Sequence, residues 1–182
     1  MRALILSAGY GTRLGELTKN TPKPTIVVGE KTVLEQIIDR LHIHGITDII
    51  CNVHYLPTVI TEKIHSNALF FYEPVLLGHD RTIAALKNWL KNDNFFVING
   101  DTISNIDFTE MNTLHEPRTI LAAMDNWRCV GSWLYDKQYF TNRHIPVIPY
   151  RPSDLIWHDI GNPERLKKAK EYYETTSSVS DV

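Results

Sequence analysis

Residues 7–24 read SAGYGTRLGELTKNTPKP and combine closely spaced glycines with two cations. Gly9 and Gly11 let a backbone come close to a phosphate, because side chains at those positions would block the approach. Arg13 adds a planar fork of donors, and Lys23 a compact charge; both suit phosphate oxygens. Neither familiar phosphate signature is met. The glycines fall at 9, 11 and 15, one residue too wide for GxGxxG, and no GxxxxGK[ST] string occurs. A tight strand-to-helix turn is the plain structural alternative. Further along, Asn99-Gly100-Asp101 puts a carboxylate after the apolar run Phe95–Ile98, beside a residue that permits a sharp turn. Such a carboxylate serves an Asx turn or a helix cap. Among phosphate-binding loops it suits magnesium better, since that ion uses one or two carboxylates plus substrate phosphates.

The elements that carry these loops alternate strand and helix. Residues 3–6 form a short apolar strand that runs into the glycine loop. Thr32 and Glu35 form a capping-box pair, followed by Leu34, Ile37, Ile38 and Leu41 on one helical face, with Gly45 as the stop. Ile49–Val53, Leu69–Tyr72 and Phe95–Ile98 read as strands. Pro57–His65 reads as a helix opened by proline, and Ile83, Leu86 and Leu90 mark another. The alternation predicts an α/β fold, a Rossmann-like, mainly parallel sheet with helices on both faces. In such sheets ligands bind beyond the carboxyl ends of the strands, which selects residues 7–24, 54–57, 73–81 and 99–102. After residue 115 the pattern loosens: Ile120–Met124 and Val130–Tyr135 read as strands, and a proline-rich stretch covers 144–152. A last helix opens at Asn162-Pro163, with Leu166, Ala169 and Tyr173 on one face. A small, polar tail at 176–182 is expected to be disordered.

The string LSAGYGTRL followed by Pro22-Lys23-Pro24 resembles the start of the sugar-1-phosphate nucleotidyltransferases. The likeness continues in family order through NVHYL (52–56), EPVLLG (73–78), FFVINGD (95–101) and WHDIGNPERL (157–166). It is closest to short bacterial members handling mannose, heptose or N-acetylmuramate 1-phosphates. The resemblance implies a nucleotide-diphospho-sugar transferase fold in one domain over 1–175, with a nucleotide-binding half (1–115) and an acceptor half (116–175). It implies a nucleoside triphosphate held by Leu6, Ala8, Gly9, Gly11, Thr12, Arg13, Lys23, Glu73, Gly78 and Asp101. Glu73 has a second reading, as a solvated loop residue. Asp101 and Asp159 are the implied magnesium ligands, and Arg13, Lys23 and Asp101 the catalytic group. The implied chemistry is in-line attack of a sugar-phosphate oxygen on the α-phosphorus, with pyrophosphate leaving.

The chain departs from the family in three places. His79-Asp80-Arg81 follows Leu77-Gly78 where relatives carry small residues. Asp80 reads as the cap of the next helix, and Arg81 either as a surface residue or as a contact to the phosphorylated acceptor. No Glu-Lys-Pro-like string occurs between Asp101 and Asp159, although relatives use its lysine to grip the sugar phosphate. That interval is also short, so the acceptor half is reduced. A small acceptor or a neighbouring subunit would compensate, with Trp127, Arg128 and Trp133 as candidate contact residues. A non-catalytic nucleotide- or sugar-nucleotide-binding module is the alternative to an enzyme.

Composition sets the remaining bounds. At 182 residues, with 43% hydrophobic and 22% charged, the chain suits a single globular domain. A formal net charge of −2 argues against a general nucleic-acid or membrane-surface binder. Cys51 and Cys129 read as two free core thiols of a reducing compartment, and the setting is expected to be cytoplasmic. The histidines show no ligand spacing; His42 and His44 read as exposed residues near a helix end, and the tryptophans as core or rim.

Overall fold

The computed structural model describes residues 1–114, 119–124, 128–142 and 144–177. Trp127 and the end of the tail, 178–182, lie outside the described residues. The first strand, β1 (Arg2–Leu6), alternates strictly: Ala3 and Ile5 face one core, Leu4 the other. Two-residue strands β2 (Val27–Val28) and β3 (Lys31–Thr32) pair antiparallel and deliver the chain to α1 (Val33–Ile43). The predicted capping box is present, with Thr32 Oγ1 accepting from the Glu35 amide and Glu35 reaching back to the Thr32 amide. Then follow β4 (Asp48–Val53), α2 (Pro57–Lys63), β5 (Leu69–Tyr72), α3 (His79–Ala85), α4 (Lys87–Leu90) and β6 (Phe95–Asn99).

The rest of the chain supplies β7 (Thr102–Ser104), α5 (Phe108–Thr113), β8 (Thr119–Ala123), β9 (Cys129–Tyr135), β10 (Val147–Tyr150), β11 (Trp157–Asp159) and α6 (Pro163–Ser177). Seven strands form one sheet in the order β10-β8-β9-β6-β1-β4-β5. Pairing is parallel except where β9 lies antiparallel between β6 and β8. The expected mainly parallel α/β sheet is therefore present. On one face, α1 and α2 pack Leu34, Ile38, Leu41 and Ile60 against Ile5, Cys51 and Phe96; on the other, Ile83 and Leu90 cover Leu4, Phe95 and Val97. None of the described helices is long and apolar enough to cross a membrane.

Five local expectations change. The helix marked by Ile83, Leu86 and Leu90 breaks at Leu86, giving the short pair α3 and α4. Asp80 does not cap it: Gly78 holds the cap position without a side-chain bond, and Asp80, already inside the first turn, pairs with Nδ1 of His79 at 2.8 Å. The proline-rich stretch contains β10, which tolerates Pro149 because it is a sheet edge. His44 is mostly buried, its ring edge-on to Phe108 and its Nδ1 bonded to Thr109 Oγ1. Finally, α6 stays helical through Ser177, past the expected end at 175, with the Thr175 and Thr176 hydroxyls donating back to the Tyr172 carbonyl. Both cysteines are free; burial pushes each thiol up from its ordinary value and keeps it protonated.

The parallel strands bring Leu6 and Asn99 side by side, and the Gly100 amide donates to the Leu6 carbonyl at 2.9 Å. A Cβ on residue 100 would lie 2.7 Å from Ser7 Oγ and 2.8 Å from the Leu6 carbonyl oxygen. Two strand ends can approach this closely only with glycine there. Gly100→Ala is expected to destabilise the fold by about 1–3 kcal/mol, read from urea unfolding. Gly9→Ala, where an added Cβ meets nothing within 4 Å, should leave the unfolding midpoint almost unchanged.

Candidate active site

The carboxyl ends of β1, β4, β5 and β6 open on one edge of the sheet, and a buried polar chain ties three of them together. The Ser7 amide donates to Asn52 Oδ1 at 2.6 Å, and Asn52 Nδ2 donates to Glu73 Oε1 at 2.9 Å. The Thr82 hydroxyl of α3 donates to the same oxygen at 2.5 Å, and the Leu77 amide donates to Glu73 Oε2 at 3.0 Å. Glu73 has no exposed surface. It is therefore not a solvated loop residue, and its committed oxygens shape the 74–78 loop from beneath instead of lining an open face. Burying a carboxylate costs several kcal/mol unless donors surround it; here two side chains and one amide do so.

The glycine loop is braced from outside. Gly11 adopts φ +69°, a region that favours glycine, and its carbonyl accepts from the Leu14 amide and the Thr18 hydroxyl. The His54 ring faces the Glu73 carbonyl with Nδ1 at 2.7 Å, so Nδ1 carries the proton. Nε2 is then the acceptor for the Tyr10 hydroxyl at 2.8 Å. The Tyr55 hydroxyl donates to the carbonyl of Lys19 at 2.9 Å. Ala8 is buried; Gly9, Thr12, Arg13 and Gly78 are exposed, and Leu6 is half-buried.

The two aspartates meet through a feature that the sequence pattern did not announce. Strands β7 and β11 pair antiparallel as a two-stranded ribbon, with Asp159 opposite Thr102 and the Ile160 amide donating to the Asp101 carbonyl at 3.0 Å. Asp101 and Asp159 thus start from neighbouring strand ends. Lys23 Nζ lies 2.6 Å from Asp101 Oδ2, while the Thr102 hydroxyl donates to Oδ1 at 3.1 Å. Asp159 Oδ1 accepts from the Gly161 amide at 2.7 Å, and Oδ2 from the Arg165 guanidinium. Sequence reasoning missed Arg165. Its signal was position: Asn162 caps α6 by accepting from the Arg165 amide, which fixes that side chain in the first turn, back toward Asp159.

Arg13 forms no ion pair with the described residues, and its Nη2 would lie 3.4 Å from a Cβ on Gly161, next to Asp159 and Ile160. A cleft of about 180 Å³ is lined by Leu6, Ser7, Gly9, Lys23, Pro24, Asn99, Gly100 and Asp101. The expected residues Leu6, Gly9, Lys23 and Asp101 therefore share one wall, with Asp159 joined through the ribbon. Gly78 and Glu73 belong to the neighbouring loop. Arg81 is exposed on α3, and Trp133 sits against the His79 ring at 4.9 Å.

The buried polar chain is testable apart from any activity. Asn52→Ala strands the Ser7 amide and removes a donor from Glu73, so about 1–3 kcal/mol of stability should be lost in denaturant unfolding. Tyr10→Phe removes only an exposed hydroxyl, and its cost should stay below about 1 kcal/mol.

Comparison with known proteins places the chain. The family model described as "Nucleotidyl transferase" matches residues 2–126. Over 125 residues the chain is 36% identical to a mannose-1-phosphate guanyltransferase of Saccharomyces cerevisiae, covering 64% of this chain and 35% of that protein. The chain thus spans about a third of the length of the curated relatives it matches. Among solved structures, it resembles HddC from Yersinia pseudotuberculosis with TM-score 0.77 and 19% identity, over 94% of this chain and 99% of that one. The CTP:phosphocholine cytidylyltransferase of Streptococcus pneumoniae gives TM-score 0.73 and 21% identity, over 94% and 98%. At such identities the structural matches show a shared fold. With the model matching well over half of its length, the chain belongs to the nucleotidyl transferase family.

Proposed function

We propose that this chain is a magnesium-dependent nucleotidyltransferase that joins a nucleoside monophosphate, taken from the triphosphate, to a sugar 1-phosphate or other small phosphorylated acceptor. GTP and mannose 1-phosphate are the first pair to test, because the Saccharomyces cerevisiae relative named above is a mannose-1-phosphate guanyltransferase. The observation that carries the reading is the convergence of Asp101 and Asp159 on one ribbon, beside Lys23 and a glycine loop bearing Arg13. We read 1–115 as the half that takes the triphosphate and 116–175 as the half that takes the acceptor. A cytoplasmic setting goes with the reading, since thiols stay reduced there.

The donor set suits magnesium. Among the described residues no three His, Cys, Asp or Glu side chains gather into a closed cage. Two adjacent carboxylates with an open cleft match an ion that takes one or two carboxylates and fills its shell with phosphate oxygens and water. Asp101 and Asp159 would hold it, and when bound it would neutralise charge on the triphosphate. Lys23 and Arg13 would carry the rest of that task, donating to phosphate oxygens as charge grows on the leaving group. The glycine loop would let the triphosphate lie against backbone. An acceptor phosphate oxygen forms the new bond to the α-phosphorus while the α–β bridging bond breaks, and its electron pair leaves with pyrophosphate. A phosphate dianion needs no general base for this step, consistent with the lack of a nucleophile–base pair in the sequence motifs.

One observation favours the second reading, a non-catalytic nucleotide-binding module. Asp101 and Asp159 each already hold an internal cation, Lys23 and Arg165. Pyrophosphate release from four triphosphates against a panel of phosphorylated acceptors separates the two; a chain that binds triphosphate yet releases none with any pair is the module. If the enzyme reading holds, Asp101→Asn and Arg13→Ala should each lower turnover by roughly a hundredfold or more. Both changes should leave the melting temperature nearly unaltered.

A further inference from the structure

Leu6 stands between two asparagines in register, Asn52 on β4 and Asn99 on β6. Asn52 is committed inside the protein: its Oδ1 accepts from the Ser7 amide, and its Nδ2 donates to Glu73. Asn99 forms no side-chain hydrogen bond with the described residues and lines the cleft with Lys23 and Asp101. The other polar groups named at these strand ends, Glu73, Asp101 and Asp159, all have protein partners. Strand alternation fixes where Asn99 points. It shares a face of β6 with Val97, which packs with Leu4, Leu6 and Trp133. β9 continues the row, with Trp133 opposite Val97 and Gly131 one step past the Ile98–Ser132 pair. A Cβ on Gly131 would lie 3.1 Å from Asn99 Nδ2 and 3.2 Å from Asn99 Cβ. The amide thus leans over a glycine of β9, in the half read as acceptor-binding.

We propose that Asn99 binds hydroxyl groups of the acceptor, which makes that acceptor a sugar phosphate and not a phosphocholine. The inference rests on the transferase reading above. A carboxamide is uncharged and offers two N–H donors and one acceptor oxygen. It suits a pair of neighbouring hydroxyls, accepting from one and donating to the other, and leaves phosphate oxygens to the cations. Of the row Leu6, Asn99 and Gly131, it supplies the one polar side chain. A quaternary ammonium group would instead call for an aromatic cage. The aromatic nearest along this face of β9 is Trp133, and its ring already lies 4.9 Å from that of His79. The ribose of a nucleotide also carries hydroxyls, but the lean of Asn99 toward β9 favours the acceptor.

The test uses the full chain, with mannose and glucose 1-phosphates, their singly deoxygenated analogues and phosphocholine as acceptors. Asn99→Leu keeps the size of the side chain and removes its donors and its acceptor oxygen. For the better of the two sugar phosphates it should raise KM about five- to fiftyfold. The triphosphate KM and the melting temperature should stay nearly unchanged, and Asn99→Ala should repeat the pattern. Wild type should discriminate by a similar factor against at least one deoxygenated analogue, and Asn99→Leu should lose that discrimination. A residue that merely shaped the cleft would weaken every acceptor alike. In a second arm the two sugar phosphates are titrated calorimetrically into wild type and Asn99→Leu, with at least fivefold weaker binding expected in the variant. Equal affinities in the two proteins, or phosphocholine turned over as well as the sugar phosphates, overturns the proposal. A rise confined to the triphosphate KM also overturns it and assigns the amide to the ribose. Should wild type turn over no pair at all, the transferase reading falls, and the titration still decides whether Asn99 holds sugar hydroxyls.

Discussion

Glu73 directly follows β5, fully buried, and its two oxygens settle the arrangement of the cleft edge. A carboxylate in such surroundings is unfavourable until donors converge on it, so Asn52, Thr82 and Leu77 must take up their positions together. Asn52 then has its carbonyl oxygen facing the Ser7 amide, which orients the first residue of the glycine loop. The Glu73 carbonyl also receives His54, which in turn receives Tyr10 from the tip of that loop. One buried acid thus sets two loops that approach the cleft from different strands. The position allows little change: an apolar residue would strand several donors at once, each at a cost of about 1–3 kcal/mol.

The cleft itself is arranged as cations and anions that satisfy one another. Lys23 with Asp101 and Arg165 with Asp159 form two pairs of opposite charge on neighbouring strands, with Arg13 facing them from the glycine loop. The pairs are only partly buried, so their attraction is moderated by solvent and a ligand can compete for either member. Were the cleft to receive phosphates and a cation as proposed, this arrangement would suit it: each aspartate holds a cation in place near the cleft, and each cation keeps its aspartate from repelling the other. The backbone bond from Ile160 to Asp101 keeps the pairs at a fixed separation whatever their side chains do.

What the sequence made legible was local. The Thr32–Glu35 capping box, the alternation in β1 and the helix opened by Asn162-Pro163 each depend on residues within one turn or one strand, and each appears as read. The placement of the glycine loop after β1 and of Asp101 after β6 was legible for the same reason. Several of the misreadings involve long-range partners. In the sequence Glu73 reads equally as a contact to the nucleotide or as a solvated loop residue, because the donors that bury it come from residues 52, 77 and 82. The β7–β11 ribbon has three residues per strand, too few for an alternating pattern, and its register exists only once residues 101 and 160 meet. Arg165 reads as one more charge on a polar helix until Asp159 is brought beside it. Pro149 hid β10, since the sequence does not mark which strand will be the sheet edge.

The family match ends at residue 126, just before β9, and this boundary coincides with a change in the sheet. Up to β6 every strand of the sheet is parallel, with its carboxyl end on the cleft edge; β9 then runs in the opposite direction, so that edge receives its beginning. The first residues of β9 are thereby delivered to the same edge as the ends of β1 and β6. The same logic returns the chain a second time through β11, which pairs antiparallel to β7 and so presents its last residue, Asp159, beside the first turn after β6. A short second half can therefore reach the cleft twice without a domain of its own, because reversal of direction, and not length, determines which end of a strand faces the ligand edge. The constraint on this half is accordingly narrow: it must keep two crossings in register with β6 and β7, and the chain between those crossings carries no such requirement.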